Sequence, residues 1–178
     1  MKVSKGTQLI ILGVLLVVID QVIKVLVKTN MSLGETIPVF GNWFRLCFVE
    51  NEGMAFGMKF GGAVGKYILT TFRIVLSGAI IWWISSLVKK QGTPTGVLIG
   101  LTAIAAGALG NLVDCLFYGL IWDYAPFMLG RVVDMFSATF FPPVFNFADS
   151  CVTVGAFYLI IFHWKYFSAE EKKDAETK

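Results

Sequence analysis

The sequence predicts an all-α membrane protein with four transmembrane helices and a small extracytoplasmic β-hairpin or cradle. Three observations support this fold class. The chain of 178 residues is 56% hydrophobic and has a mean hydropathy of +0.72, whereas soluble domains are about 45–50% apolar. The apolar residues are concentrated in four long runs. The segment between the first two runs is rich in residues that favour strands.

Each of the four runs is long enough to cross a bilayer as a helix, which takes about 20 residues. They lie at about residues 8–27, 67–88, 97–118 and 147–167. Helix is the expected form because backbone groups in lipid must be hydrogen-bonded internally. The first run resembles a signal peptide, but Asp20 and Lys24 follow without a small-residue cleavage site. We therefore interpret it as a retained helix, and the chain as a single integral membrane domain.

The distribution of basic residues predicts the orientation of the chain in the membrane. Lysines flank the ends of the runs on the side of the two termini, and fewer basic residues lie on the other side, in longer loops. We expect both termini in the cytoplasm. The first outer loop, at residues 28–65, contains two β-rich stretches at 36–40 and 43–49 with a Gly-Asn turn between them. Residues 168–178 are predicted to be a disordered charged tail.

Composition also excludes several kinds of partner and cofactor. The net charge is +3, and no basic stripe with interleaved aromatic residues is present, so nucleic acid is not expected as a partner. The three cysteines form no C-x-x-C pair, and the chain has one histidine, so we expect no zinc site. We expect no cofactor, because activation of water by two carboxyl groups needs neither a metal nor an organic group. Nothing in the sequence requires more than a monomer.

Two aspartates in apolar surroundings are the strongest candidates for chemistry. Asp134 and Asp149 flank the expected start of the fourth span. A carboxylate at the membrane centre costs about 2.5–3.5 kcal/mol, so acidic residues in such segments usually have a role. Two carboxylates brought close together share one proton, which is how aspartic proteases activate water. Spacing alone leaves open that they are two independent interfacial groups.

The residues just before the fourth span predict how it begins. Pro142 and Pro143 prevent helix at that point. Asn146 follows three residues later and is a favoured helix cap. This interpretation places Asp149 in the first turn of the helix.

Two further polar pairs lie on the predicted helices. Asp20 and Lys24 are four residues apart, in the order that favours a helical ion pair. Either they neutralise each other or Asp20 also orients groups near an active centre. Asn111 and Asp114 close the third run and share a helix face. That face must point at protein or water rather than at lipid.

Other polar positions have two interpretations each. Asn51 and Gly53 suit a tight turn, or the Asn51 amide contacts the backbone of a substrate. Arg73, within the second run, either extends its charge to the interface or pairs with a carboxylate. Asp123 lies in a loop and is expected to face water.

Taken together, these segments resemble lipoprotein signal peptidase, also called signal peptidase II. Each motif by itself is weak, but they occur in the order that the family has and cover nearly the whole chain. They are Asp20-x-x-x-Lys24, Asn51-x-Gly53-x-Ala55-Phe56, Gly107-Ala108-Leu109-Gly110-Asn111-Leu112-Val113-Asp114, Val132-Val133-Asp134 and Phe145-Asn146-x-Ala148-Asp149-Ser150.

The resemblance implies an aspartic endopeptidase of the bacterial cytoplasmic membrane. Its substrates would be prolipoproteins that carry diacylglyceryl on a cysteine, and it would cut just before that cysteine near the outer leaflet. By this resemblance Asp134 and Asp149 are the catalytic pair. The supporting residues that it implies are Asn51, Gly53, Asn111, Asp114, Asn146, Asp20 and Lys24.

One position departs from the family's pattern. The family usually has arginine after the aspartate of the third span, where this chain has Cys115. Arg131, just before the catalytic segment, is our candidate for a substitute.

Two competing functions come from other classes. One is a small proton-coupled transporter or channel subunit that uses Asp20, Asp114, Asp134 and Asp149 as a proton relay. The other is a binding or assembly factor without chemistry. Relays place carboxylates at several depths in the membrane, whereas three of these four lie at or beyond the outer ends of spans. This clustering favours a one-sided interfacial site.

Overall fold

The computed structural model describes residues 3–52 and 62–176. This part of the chain forms five α-helices and four strands, and a π-helical segment extends the third helix. The elements are α1 (Lys5–Asn30), β1 (Thr36–Phe40), β2 (Phe44–Asn51), α2 (Gly62–Lys89), α3 (Thr95–Val113), the π-helical segment (Asp114–Tyr118), α4 (Gly119–Ile121), β3 (Val132–Ala138), β4 (Phe141–Phe145) and α5 (Phe147–Glu176).

Within the described residues, four helices are long and apolar enough to cross a membrane. They are Lys5–Asn30, Gly62–Lys89, Thr95–Ile121 and Phe147–Ala169. Each predicted span lies inside one of them. The prediction of a disordered tail is corrected, because α5 continues as far as Glu176. The Ala, Glu and Lys residues of this segment are strong helix formers, and we interpreted their charge as a sign of disorder.

Helix α3 is the centre of the bundle and packs against α1, α2 and α5. Close packing depends on glycines, as expected for helices in lipid. A Cβ atom at Gly107 would lie 2.3 Å from the carbonyl oxygen of Ala148 in α5. A Cβ atom at Gly110 would lie 2.6 Å from Asp20 Oδ2 in α1. These two positions therefore bring α1 and α5 against α3 near the candidate residues.

The four strands form one antiparallel sheet in the order β1-β2-β3-β4. The β-rich first loop contains β1 and β2, which pair as the antiparallel hairpin that the sequence predicts, and this hairpin is part of the larger sheet. The second loop supplies β3 and β4, and we missed both. Pro142 and Pro143 lie in β4, where we interpreted them only as helix breakers. Two consecutive prolines are tolerated there because β4 is an edge strand and its ladder with β3 is irregular at this point.

One buried face of the sheet packs against the end of α1. Phe48, Val133 and Met135 from β2 and β3 cluster there with Val27 of α1 and Tyr118. Because side chains alternate along a strand, the residues between them point to the other face. The buried face therefore fixes which side of the sheet presents Asp134.

We predict that Gly107→Ala destabilises the protein by about 1–3 kcal/mol, because the new methyl group overpacks the contact between α3 and α5. Gly78→Ala is the matched control, since a Cβ atom there meets nothing within 4 Å. That change should be neutral or stabilising by up to about 1 kcal/mol. Thermal unfolding of both variants in detergent measures the difference. Equal unfolding temperatures would contradict the packing role of Gly107.

Candidate active site

The start of α5 is a capping box that holds Asp149. The Asp149 backbone N–H donates to Asn146 Oδ1 at 2.8 Å. In return, the Asn146 backbone N–H donates to Asp149 Oδ2 at 3.2 Å. Such a reciprocal pair satisfies two donors that a helix start leaves without partners. The predicted cap is confirmed, and Asp149 lies in the first turn of the helix.

Strand β3 holds Asp134 beside this helix start. Asp134 pairs in register with Val49 of β2, and Asn51 lies two residues further along β2 on the same face. The Asn51 side-chain amide donates to Asp134 Oδ2 at 3.2 Å. Asn51 is therefore a partner of a candidate catalytic group and not only a turn residue. Gly53, the other predicted residue of this motif, lies outside the described residues.

One residue, Asn146, connects the two aspartates. Its side-chain amide donates to Asp134 Oδ1 at 2.7 Å, while its backbone N–H donates to Asp149. Both carboxyl groups line one cavity of about 800 Å³. The two residues are therefore not independent interfacial carboxylates.

The environment favours a proton on Asp134. Its side chain is 3% exposed, and burial disfavours the charged form of a carboxyl group. Burial, followed by the negative charge of Asp149, raises the pKa of Asp134 to about 7. The hydrogen bonds from Asn51 and Asn146 oppose this shift without cancelling it. Near neutral pH, a proton therefore resides on Asp134 for a large part of the time.

Beneath the cavity, the ammonium group of Lys24 joins three side chains. Its Nζ atom lies 2.9 Å from Asp20 Oδ2 and 2.8 Å from Asp114 Oδ2. It also donates to Asn111 Oδ1 at 2.8 Å. These contacts use all three N–H donors of a lysine. The predicted pair of Asp20 and Lys24 is confirmed and is part of a larger buried network.

The two carboxylates bound by Lys24 each hold a backbone group near the cavity. Asp20 Oδ1 accepts a hydrogen bond from the N–H of Ala148 in the first turn of α5, at 2.9 Å. Asp114 Oδ2 accepts one from the N–H of Val133 in β3, at 3.2 Å. Ala148 is followed in the chain by Asp149, and Val133 is followed by Asp134. The network thus sets the position of both.

The third partner of Lys24 contacts the site directly. The Asn111 amide nitrogen donates to Asp149 Oδ1 at 2.8 Å. The Asn111 amide oxygen accepts from Lys24 and also from the Asn146 side chain at 3.0 Å. Both ends of this amide are therefore engaged, which fixes its orientation. Asp149 is held from two sides, by Asn111 and by the helix cap.

Two residues of this network were missed in the sequence. Gln21 Nε2 donates to Asp114 Oδ1 at 2.9 Å and lies 3.1 Å from the Gly110 carbonyl oxygen. The Tyr118 hydroxyl donates to Gln21 Oε1 at 3.2 Å. Gln21 could have been found from the sequence, because it is a side-chain amide next to Asp20 inside an apolar span. Tyr118 gave none, since a buried tyrosine is common in cores.

The hypothesis that Arg131 substitutes for the missing arginine stays a prediction. Its side chain is 46% exposed and pairs with Glu50 at 3.3 Å. It also lies over the ring of Tyr124, at 5.4 Å from the centroid. Arg131 therefore joins the loop to β2 through Glu50. The guanidinium that contacts the Cys115 sulfur, at 3.2 Å, belongs to Arg73 of α2.

Two remaining expectations have different outcomes. Asp123 is exposed, as predicted. Among the residues that the structure describes, no group of three or more His, Cys, Asp or Glu side chains is arranged to hold a metal ion. The expectation that no metal takes part stays a prediction.

We predict that Lys24→Met lowers the free energy of unfolding by about 3–5 kcal/mol, because it leaves two buried carboxylates without their cation. Lys89→Met is the control, since Lys89 is exposed at the end of α2. Chemical unfolding in mild detergent measures both. A Lys24→Met protein as stable as the control would show that the network is not a structural requirement.

Comparison with known proteins places the chain in a family. The profile of peptidase family A8, described as signal peptidase (SPase) II, matches residues 12–165. A lipoprotein signal peptidase of Porphyromonas gingivalis is 38% identical, over 90% of this chain and 84% of that protein. Another, of Amoebophilus asiaticus, is 35% identical over 84% of this chain and 75% of that protein.

The fold agrees with this assignment. A bacterial membrane enzyme solved by the in meso method at 2.3 Å resolution is similar, with a TM-score of 0.71 and 27% identity. The match covers 92% of this chain and 91% of that one. The motifs, the four apolar helices and these relatives agree, and the chain belongs to the signal peptidase II family of bacterial multi-pass membrane proteins.

Proposed function

We propose that this signal peptidase is an aspartic endopeptidase in which Asp134 and Asp149 share one proton and activate a water molecule. It removes the signal peptide from diacylglyceryl-modified prolipoproteins by cutting before the lipidated cysteine. The observation that carries the proposal is the bridge through Asn146, which brings both carboxyl groups to one cavity. The relatives named as lipoprotein signal peptidases support the substrate class.

The proposed reaction assigns a different role to each aspartate. Asp149, as the carboxylate, takes a proton from water, and the water oxygen attacks the scissile carbonyl carbon. Asp134 holds the shared proton, consistent with its raised pKa, and donates it to the carbonyl oxygen. As the tetrahedral intermediate collapses, the proton on Asp149 passes to the leaving amine, and a hydroxyl group of the intermediate returns a proton to Asp134. The pair titrates as a unit, because two adjacent negative charges in a low dielectric resist double ionisation.

The sheet gives the proposal its orientation in the membrane. Its outer tip is aromatic and exposed, where Phe40 and Phe140 each stack on Trp43 with ring centroids 6.2 Å apart. Exposed aromatic residues of this kind favour the membrane–water interface. In our proposal the tip rests on the outer leaflet, both termini are cytoplasmic, and the protein acts as a monomer. The substrate's acyl chains then stay in lipid while its peptide enters the cavity.

The two competing functions lose their support. The family match identifies a peptidase, which the transporter and the assembly-factor hypotheses do not account for. The acidic residues also do not form a path through the membrane. Asp20 and Asp114 share the ammonium group of Lys24, and each hydrogen-bonds the residue next to one of the cavity aspartates.

We predict that Asp134→Asn and Asp149→Asn each lower the cleavage rate by roughly 10²–10⁴-fold, the usual contribution of a general acid or base. Asp123→Asn is the matched control. Asp123 is exposed and has a φ of 51°, a conformation that asparagine adopts readily. Conversion of a purified lipidated precursor to the shorter product measures all three. Near-normal cleavage by either active-site variant would refute the shared-proton mechanism.

The raised pKa of Asp134 makes activity depend on pH. Asp134 must be protonated to act as the acid, so kcat/KM should fall as the pH rises through about 7. Removal of the Asp149 charge takes away one cause of the shift, so Asp149→Asn should lower the pKa of Asp134. A pH–rate profile tests the first statement, and an NMR titration of the labelled carboxyl carbon in Asp149→Asn tests the second. A rate that rises across neutral pH would contradict the assignment.

A further inference from the structure

Glu50 of β2 is tied to two other parts of the chain by ion pairs. One of its carboxylate oxygens, Oε1, contacts Lys28 Nζ near the end of α1. The other, Oε2, lies 3.3 Å from Arg131 Nη1 in the segment before β3. The Glu50 side chain is 10% exposed and that of Lys28 11% exposed, so their pair is better shielded from water than a surface ion pair. The mechanism above assigns no part to Glu50.

The two cations around this carboxylate are themselves held in place. Lys28 Nζ lies over the rings of Trp122 and Tyr124, each 5.2 Å from the centroid, and over Phe48 at 5.8 Å. Aromatic faces attract a cation at such distances. The Tyr124 hydroxyl also accepts a hydrogen bond from the Arg131 backbone N–H at 2.7 Å. The carboxylate is therefore bound by groups whose positions do not depend on it alone.

The end of β2 gains a second connection from these ion pairs. The ladder between β2 and β1 reaches Cys47, and Glu50 lies beyond it. The register between β2 and β3 shifts between Leu46 and Val49. A shift of this kind bends a strand, so the pairs before it do not determine where the residues after it lie. Beyond the shift β2 stays paired with β3, and Glu50 adds the link to α1.

The residue after Glu50 is Asn51, which contacts the candidate acid. Its amide donates to Asp134 Oδ2 at 3.2 Å, the upper end of the usual range of about 2.7–3.2 Å. A displacement of this strand end by a few tenths of an ångström would break the bond. The bond favours the ionised form, so it opposes the rise that burial causes in the pKa of Asp134. The position of β2 at Glu50 therefore affects the proton on Asp134.

We infer that Glu50 is a positioning residue whose ion pairs with Lys28 and Arg131 hold the end of β2 where the Asn51 amide reaches Asp134. The inference rests on the proposed function for the role of Asp134 as the acid. Of the described residues that line the cavity, Asn51 is one and Glu50 is not. Glu50 acts through its neighbour, so its loss should affect Asp134 by this route only when Asn51 is present.

A double-variant cycle between Glu50→Met and Asn51→Ala tests the inference. The readout is the titration midpoint of the infrared carboxyl band that is lost in Asp134→Asn, which needs no catalysis. In the wild-type background, Glu50→Met removes both the anchor of the strand and a negative charge. In Asn51→Ala it acts on Asp134 through the charge alone, which leaves the midpoint unchanged or lowers it.

The difference between the two shifts isolates the anchor. The midpoint should shift upward by about one pH unit more in the wild-type background, which corresponds to one hydrogen bond to a charged group. Asp149 and Lys24, the charged groups that act on Asp134 from α5 and α1, are unchanged in every member of the cycle. The alkaline limb of the pH–rate profile of kcat/KM should follow the midpoint.

Glu35→Met is the matched control for the charge. Glu35 is an exposed glutamate of the same outer loop, and its carboxylate accepts a hydrogen bond from the Ser32 backbone N–H at 2.8 Å. Its removal should give the same shift in both backgrounds. If Glu50→Met does not fold, Glu50→Gln completes the cycle. The amide keeps an acceptor oxygen for the two cations but not the charge, so the difference should be smaller and of the same sign.

Equal shifts in the two backgrounds would overturn the inference, because Glu50 would then act on Asp134 by charge alone or not at all. A difference of the opposite sign would overturn it as well. Neither result would affect the proposed function, provided that the wild type cleaves a lipidated precursor and Asp134→Asn does not. If the wild type cleaves no precursor, the role of Asp134 as the acid fails, and the infrared cycle decides separately whether Glu50 positions Asn51.

Discussion

The ammonium group of Lys24 is the interaction on which the rest of the structure depends. It is fully buried, and its three donors have partners on α1, on α3 and in the π-helical segment. A buried charge is costly unless it is paired and hydrogen-bonded, so the three partners must occupy fixed positions. Asp20 accepts a hydrogen bond from α5 next to Asp149, and Asp114 accepts one from β3 next to Asp134. The third partner, Asn111, donates to Asp149 itself. One cation thus sets the geometry of two carboxyl groups that it does not touch.

The two aspartates are presented by regular elements and not by loops. Asp134 lies in a strand whose other face is buried, and Asp149 lies in the first turn of a helix. A site built in this way keeps its geometry. Rotation of Asp149 would break its hydrogen bond from the Asn146 backbone, and rotation of Asp134 would break those from the Asn51 and Asn146 side chains. Asn146 shows this best: it caps α5 with its side-chain oxygen and donates to Asp134 with its side-chain nitrogen.

Most of the helical architecture could be predicted from the sequence. Long apolar runs dictate helices in lipid, and the cap at Asn146 follows from local chemistry. Strand β4 was missed because two adjacent prolines indicate only a break in a helix when the neighbouring residues alone are considered. Their place on the edge strand of a sheet depends on the tertiary fold. The pairing of Asp134 with Asp149 came from the family resemblance, since no spacing rule joins a strand to a helix start. Arg73 was ambiguous because its partner, Cys115, lies on another helix.

The central claim is that Asp134 and Asp149 hold one proton between them near neutral pH. Infrared difference spectroscopy of the protonated carboxyl band, with Asp134→Asn as the reference, measures this most directly. At slightly acidic pH we expect one protonated carboxyl group. It should lose its proton with a midpoint near pH 7. Two ionised carboxylates throughout that range, or two protonated ones, would contradict it.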